Sequence, residues 1–141
     1  MLSVSEYYAD LIRRGYEAWN AGDRSWVLEH LSPDVEWIAP SDDPDPDVYR
    51  GHDAVIGFWN QWRSAVGQLE FDILELIEAP PHVLAVTRRS GTGAHSGLAV
   101  SDEVCQVFTF DGALCVKVQE FYDRAAAMRA AGSPAEVRRT G

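Results

Sequence analysis

Few residues in this sequence combine the type and spacing that chemistry demands, and Glu120 is the foremost. It closes an alternating run in which Leu114, Val116, Val118, Glu120 and Tyr122 share one strand face. A carboxyl group at the end of an apolar face is suited to proton transfer, because burial raises its pKa towards neutrality. Two further polar side chains can converge on it. Arg89 follows Val83, Ala85 and Thr87 on one strand face, and Gln106 shares another with Val104, Phe108 and Phe110. Arg88 is the alternative to Arg89 if the strand runs in the other phase. The competing reading of Arg89 and Glu120 is an ordinary ion pair at a sheet edge, and Gln106 could equally serve a neighbouring backbone group.

Other candidates fail on spacing. Asp43, Asp45 and Asp47 alternate like a calcium loop, but prolines intervene, and Val48 and Ala54 stand where Gly and Glu are needed. His30, His52, His82 and His95 show no metal-ligand spacing, so no metal is expected. His52, beside Asp53 and just after Gly51, is most simply a helix start. Gly91-Thr92-Gly93 has no helix after it, and the serine of Gly93-Ala94-His95-Ser96-Gly97 is misplaced for a nucleophile elbow. No cofactor is expected. Cys105 and Cys115 fall three or four residues out of register on neighbouring strands, roughly 10 Å or more apart, so both should be reduced and buried.

The elements that must position these groups are helices first, then strands. Ser3 and Glu6 form a capping box ahead of an apolar helical stripe through Tyr16 and Trp19, ended by Gly22. Asp23 caps a short second helix ended by Ser32-Pro33, and a short strand follows over 35–39. Residues 40–50, with three prolines and four aspartates, read as an extended loop, mobile at a cavity mouth unless ligand is bound. Val55, Trp59, Trp62 and Val66 lie on one face of a third helix. Strands are expected over 69–78, 82–94, 99–110 and 114–122, then a short helix from Asp123 through Met128. The class is α+β, with helices on one face of a curved antiparallel sheet. A three-residue turn at 111–113 and a two-residue turn at 96–97 set the register Thr87/Gln106/Val118 and Arg89/Val104/Glu120. Arg89 and Glu120 then meet over Val104. Tyr16, Trp19, Trp59 and Trp62 close a cavity, Trp37 forms its wall, and Phe108 and Tyr122 complete the lining, although such aromatics also serve as plain core.

The 141 residues bound what this cavity can serve. They fit one domain, taken as 1–131, with a tail at 132–141. A net charge of −10 repels phosphate backbones and anionic lipid, so neither nucleic acid nor membrane is an expected partner. The first residues lack a basic segment followed by an apolar one, which suggests a cytoplasmic chain. Cys105, Val107, Thr109, Cys115 and Phe121 make the convex sheet face too apolar for water, so a homodimer through that face is expected.

Several local motifs carry a family resemblance: RRGYEAWNAGD (13–23), LSPDVEW (31–37), VYRGHDAVIGFW (48–59), FDGALCVKV (110–118) and QEFYDRAAAM (119–128). In order and spacing the chain resembles the SnoaL-like group of the nuclear transport factor 2-like superfamily. The resemblance implies a cone, a bent sheet wrapped around three helices and enclosing a pocket, commonly in a dimer. It also implies a range of functions: polyketide cyclases, steroid isomerases, dehydratases, epoxide hydrolases and non-catalytic binders. Val35-Glu36 is followed by Trp37 where the steroid isomerases place their base, which argues against that chemistry. The epoxide-hydrolase arrangement of two Asp and an Arg has no clear third partner here. Glu120 is placed like the acid of the cyclase branch. The expectation is a cofactor-free acid–base enzyme on a small hydrophobic molecule, with Glu120 and Arg89 catalytic; the alternative is a non-catalytic small-molecule binder or a protein-interaction module.

Overall fold

The computed structural model describes all residues except 1, 2, 42, 68, 94 and 133–141, so the expected tail lies outside the described residues apart from Gly132. Helix α1 (Val4–Asn20) opens on the capping box: Ser3 Oγ accepts from the Glu6 N–H at 3.1 Å, and Glu6 Oε1 accepts from the Ser3 N–H at 3.1 Å. Gly22, at φ +82°, turns the chain into α2 (Arg24–Glu29), capped by Asp23. The first strand, β1 (Leu31–Ala39), starts earlier than expected, because the chain leaves α2 directly into extended backbone with Pro33 inside the strand.

The expected loop over 40–50 is shorter. Residues Asp47–Arg50 form β2, antiparallel to β1 with Trp37 opposite Tyr49. Helix α3 (Gly51–Val66) buries Val55, Phe58 and Trp59. Then come β3 (Glu70–Ala79), β4 (His82–Thr92), β5 (Ala99–Asp111), β6 (Leu114–Phe121) and α4 (Arg124–Ala130). The six strands form one sheet in the order β2-β1-β6-β5-β4-β3. Pairing is antiparallel throughout, except that β1 and β6 run parallel. Helices α1 and α3 pack on the inner face, against β3 and β1 respectively.

Both turn assignments are corrected, and each correction moves a strand by two residues. The β5–β6 turn has two residues, Gly112-Ala113, with Gly112 at φ +62°, a conformation open to glycine without steric cost. A bulge then leaves Val116 unpaired between Cys115 and Lys117, so Phe108 faces Val118 and Gln106 faces Glu120. The β4–β5 connection spans 93–98, and Gly97 donates its N–H to the Gly93 carbonyl at 2.9 Å. Arg89 therefore faces Asp102 rather than Val104. Even-numbered shifts keep Arg89, Gln106, Phe108 and Glu120 on the expected inner face. The bulge swings Cys115 inward, among the buried residues of the inner core, and leaves Leu114 exposed.

The outer face carries its own small core. Cys105, Val107 and Phe121 join Ile77, Leu84 and Val86, and α4 covers them with Ala127 and Met128. Beyond α4 that face is charged, with Arg88 3.6 Å from Glu103. The apolar surface that argued for a partner subunit is thus covered by the chain's own last helix. Arg88 faces outward and Arg89 inward.

Candidate functional site

The inner face of the sheet and the two long helices enclose a cavity of about 90 Å³. Of the ten residues singled out from sequence, Tyr16, Trp19, Trp37, Trp59, Trp62, Phe108, Arg89, Gln106 and Glu120 line it. Tyr122 does not. It is half exposed and lines a second chamber of about 200 Å³ together with Pro40, Asp47 and Tyr49. Phe58, Trp62, Arg89 and Glu120 border both chambers, so the carboxyl group stands on the partition between an apolar interior and a more polar antechamber. The chain is anchored here at Ser41, which donates its N–H to the Glu120 carbonyl at 2.6 Å.

The helices are fixed to the sheet by specific bonds. Trp19 Nε1 donates to the Leu69 carbonyl at 2.8 Å, and the Asn20 amide both donates to and accepts from the Phe71 backbone, each at 2.9 Å. Arg24 covers the Trp19 ring from outside at 4.8 Å. The aromatic walls pack edge to face: Trp19 on Trp59 at 5.2 Å, Trp37 on Trp59 at 5.8 Å, and Tyr16 on Phe108 at 6.0 Å. Phe58 and Phe71, also in the lining, were not singled out from sequence. Phe71 lies on a strand whose phase the sequence left unassigned, whereas Phe58 adjoins the expected stripe at Trp59.

Within this apolar shell runs one buried polar chain. The Tyr16 hydroxyl donates to Gln106 Oε1, and Gln106 Nε2 donates to Glu120 Oε2 at 2.6 Å. The cross-strand pairing of Gln106 with Glu120 makes this contact direct. Burial pushes the Glu120 carboxyl above its ordinary range, against the opposing pull of the Arg89 charge and the Gln106 hydrogen bond. The Trp37 indole N–H also leans towards the Glu120 carboxyl and favours its ionised form, although the contact falls short of a full hydrogen bond and Nε1 has no other partner among the described residues. Burial, with the nearby Glu120 charge adding to it, holds the Tyr16 hydroxyl firmly protonated.

Arg89 does not form the expected pair with Glu120. Its Nε and Nη2 donate to the two Asp102 carboxylate oxygens at 3.0 and 2.7 Å, and Nη2 also reaches the Tyr122 hydroxyl at 3.3 Å. Trp62 lies against the guanidinium at 4.6 Å. Burial works to lower the Arg89 pKa, but these bonds more than offset it and the group stays charged. Asp102, missed because the expected register placed it elsewhere, is thus what diverts the cation. Among the described residues Glu120 takes part in no salt bridge. The arrangement can present a carboxyl group, protonated or ionised, to a molecule held against aromatic walls.

The remaining candidates hold structural posts. His30 bonds the Trp26 carbonyl at 2.8 Å, His52 the Leu31 carbonyl at 3.0 Å, and His82 the Thr109 hydroxyl at 2.9 Å. Both cysteines are reduced and buried, and desolvation pushes the Cys115 thiol up to about 12, which leaves it unreactive. No described helix is long and apolar enough to cross a membrane.

Comparison with known proteins agrees with this architecture. Curated proteins include no match. An NTF2-like protein of unknown function from Burkholderia pseudomallei superposes with a TM-score of 0.74 at 24% identity, over 91% of this chain and 97% of that one. A protein assigned as a SnoaL-like polyketide cyclase from Jannaschia gives 0.71 at 20%, over 89% and 92%. TerC, co-crystallised with polyporic acid, gives 0.71 at 19%, over 89% and 98%. At these identities the likeness is one of fold. The SnoaL-like domain pattern itself matches residues 12–118, and the chain belongs to that family.

Proposed function

We propose that the chain is a cofactor-independent enzyme that performs acid–base chemistry on a small hydrophobic molecule bound in the aromatic cavity, with Glu120 moving the proton. The observation that carries this reading is a carboxyl group only 7% exposed, set among aromatic walls and bonded by Gln106, while the nearest cation is diverted to Asp102. A general acid or base works best with a pKa near the operating pH, and burial shifts Glu120 in that direction. Gln106 orients the carboxyl group, and Tyr16 fixes the Gln106 amide by occupying its oxygen. Arg89 supplies a fixed positive charge that limits how far the Glu120 pKa rises. The assignment of one relative as a polyketide cyclase, and the organic ligand in TerC, support a small-molecule role in this fold.

Incubation with compact epoxide, polyketide-like and cyclic ketone substrates, followed by chromatography, tests the reading. Turnover by the wild type and its loss in Glu120→Gln are expected. Equal rates in the two proteins would remove Glu120 from the chemistry. Saturable binding of the same compounds without conversion of any would make the chain a binder.

A further inference from the structure

The walls of the inner cavity hold two indole N–H donors without a completed hydrogen bond. Among the described residues Trp59 Nε1 has no partner and Trp37 Nε1 only leans towards Glu120, on residues 3% and 7% exposed. Buried donors nearly always find an acceptor, so a pair of orphans on two neighbouring rings of one cavity calls for a reason. The contrast with Trp19 sharpens the point, because its indole N–H, in the same lining, is satisfied by the Leu69 carbonyl. The two rings pack edge to face at 5.8 Å, and both residues border the cavity.

The other polar groups of the lining are already engaged. Gln106 Oε1 is taken by Tyr16, Glu120 Oε2 by Gln106, and the Arg89 guanidinium by Asp102 and Tyr122. Apart from the second Glu120 oxygen, the cavity therefore offers donors rather than acceptors. An anion would find Arg89 already neutralised. A quaternary ammonium would suit bare indole faces, but Arg24 already lies over Trp19 and Arg89 over Trp62, so those two faces are taken. What remains is a neutral molecule with an accepting oxygen. Its size is bounded as well: about 90 Å³ is less than the roughly 150 Å³ of an engineered apolar cavity that holds benzene.

We propose that Trp37 and Trp59 form a carbonyl-oxygen subsite, and that the inner cavity takes a compact neutral carbonyl compound, smaller than benzene, docked on their indole N–H groups. This rests on the reading of the cavity as a ligand site. It places the carbonyl beside Glu120, which borders the same space.

The test compares two isosteres, butanone and 2-methyl-1-butene, with tetramethylammonium as a third probe, by titration of the full ¹⁵N-labelled chain. The indole N–H signals of Trp37 and Trp59 should move on adding the ketone, and that of Trp19 should move less. The ketone should bind at least tenfold more tightly than the hydrocarbon. Trp37→Phe and Trp59→Phe keep a ring but remove the donor, and each should weaken ketone binding at least fivefold while changing hydrocarbon binding less than twofold. Equal affinity for the isosteres, tighter binding of tetramethylammonium, or no binding of any probe to the wild type would overturn the proposal, and none of these outcomes needs a variant to fold. Ketone binding with no turnover of any substrate would sink the enzymatic reading and leave the subsite standing. Turnover without carbonyl preference would do the reverse.

Discussion

The two faces of the sheet solve the same packing problem with different materials. On the outer face, Ile77, Leu84, Val86, Cys105, Val107 and Phe121 meet Ala127 and Met128 of α4 in an apolar cluster. The inner face buries a larger apolar set, yet also Thr87, Arg89, Gln106 and Glu120, the buried polar side chains among the described residues. Thr87 is accounted for by its bond to the Val104 carbonyl. The other three form the polar side of a cavity. Stability alone would favour the outer solution, since a buried carboxyl group is costly unless its partners compensate. Polar burial confined to the face that encloses space therefore points to function rather than to folding.

If that division is right, substitutions on the two faces should fail differently. Glu120→Gln should have the largest effect on chemistry, lowering turnover about 10²–10⁴-fold, the usual contribution of a positioned acid or base. Its melting temperature should hold or rise, because the amide retains the shape without the buried charge. Thermal scans beside rate measurements check both halves, and a folded variant with full activity would break the comparison. On the outer face, Leu84→Ala should cost about 2–5 kcal/mol of unfolding free energy, as expected for a fully buried leucine. Denaturant titration measures this, and probe binding in the inner cavity should persist under native conditions. A loss of binding affinity with little loss of stability would show that the faces are not independent.

Much of this division was legible in the sequence, and the illegible part has one physical cause. The apolar stripe of Tyr16 and Trp19 and that of Val55, Trp59 and Trp62 place two helices against a cavity through the helical period alone. Strand alternation likewise assigned Arg89, Gln106, Phe108 and Glu120 to the inner face. Alternation, however, has a period of two, so it cannot detect a slip of two residues. Both hairpins differ from expectation by that amount, which exchanged Val104 for Asp102 opposite Arg89 and Val118 for Glu120 opposite Gln106. The residues of the site were readable; which of them touch was not. The cover of the outer face was hidden for another reason: α4 is mostly alanine, and three alanines in a row carry no amphipathic signature to assign them to a sheet.

The Arg89–Asp102 pair offers a finer adjustment of the same contrast. Asp102→Asn removes the charge that holds the guanidinium, at a stability cost of about 1–3 kcal/mol for a weakened charge-assisted bond. The exposure of Asp102, whose side chain is 45% accessible, keeps the cost below that of breaking a fully buried pair. Its effect on chemistry should appear as a shift. Asp102 raises the Glu120 pKa and Arg89 lowers it, so deleting the former leaves the latter unopposed. The limb of the pH–rate profile that reports Glu120 should move to lower pH. A profile unchanged in Asp102→Asn would mean that the pair is structural only.

The smallest expected effect is thermodynamic, and it separates the faces without any substrate. Glu120 has its folded-state pKa raised, mainly by burial, above the value of about 4.3 that an unfolded glutamate shows. Between those two values the folded chain holds a proton that the unfolded chain has lost, so stability falls as pH rises through that interval. Below the unfolded value, and above the folded one, this contribution no longer changes with pH. The wild type less Glu120→Gln difference in unfolding free energy isolates the group, because the other titrating residues are common to both proteins. That difference should decline as pH increases from about 4.3 and level off once Glu120 ionises in the folded state. Leu84→Ala, on the apolar face, should shift the whole stability curve without altering that decline. A flat difference would mean that Glu120 ionises in the native chain as readily as in water, and the carboxyl group would then lack the burial on which its proposed chemistry depends.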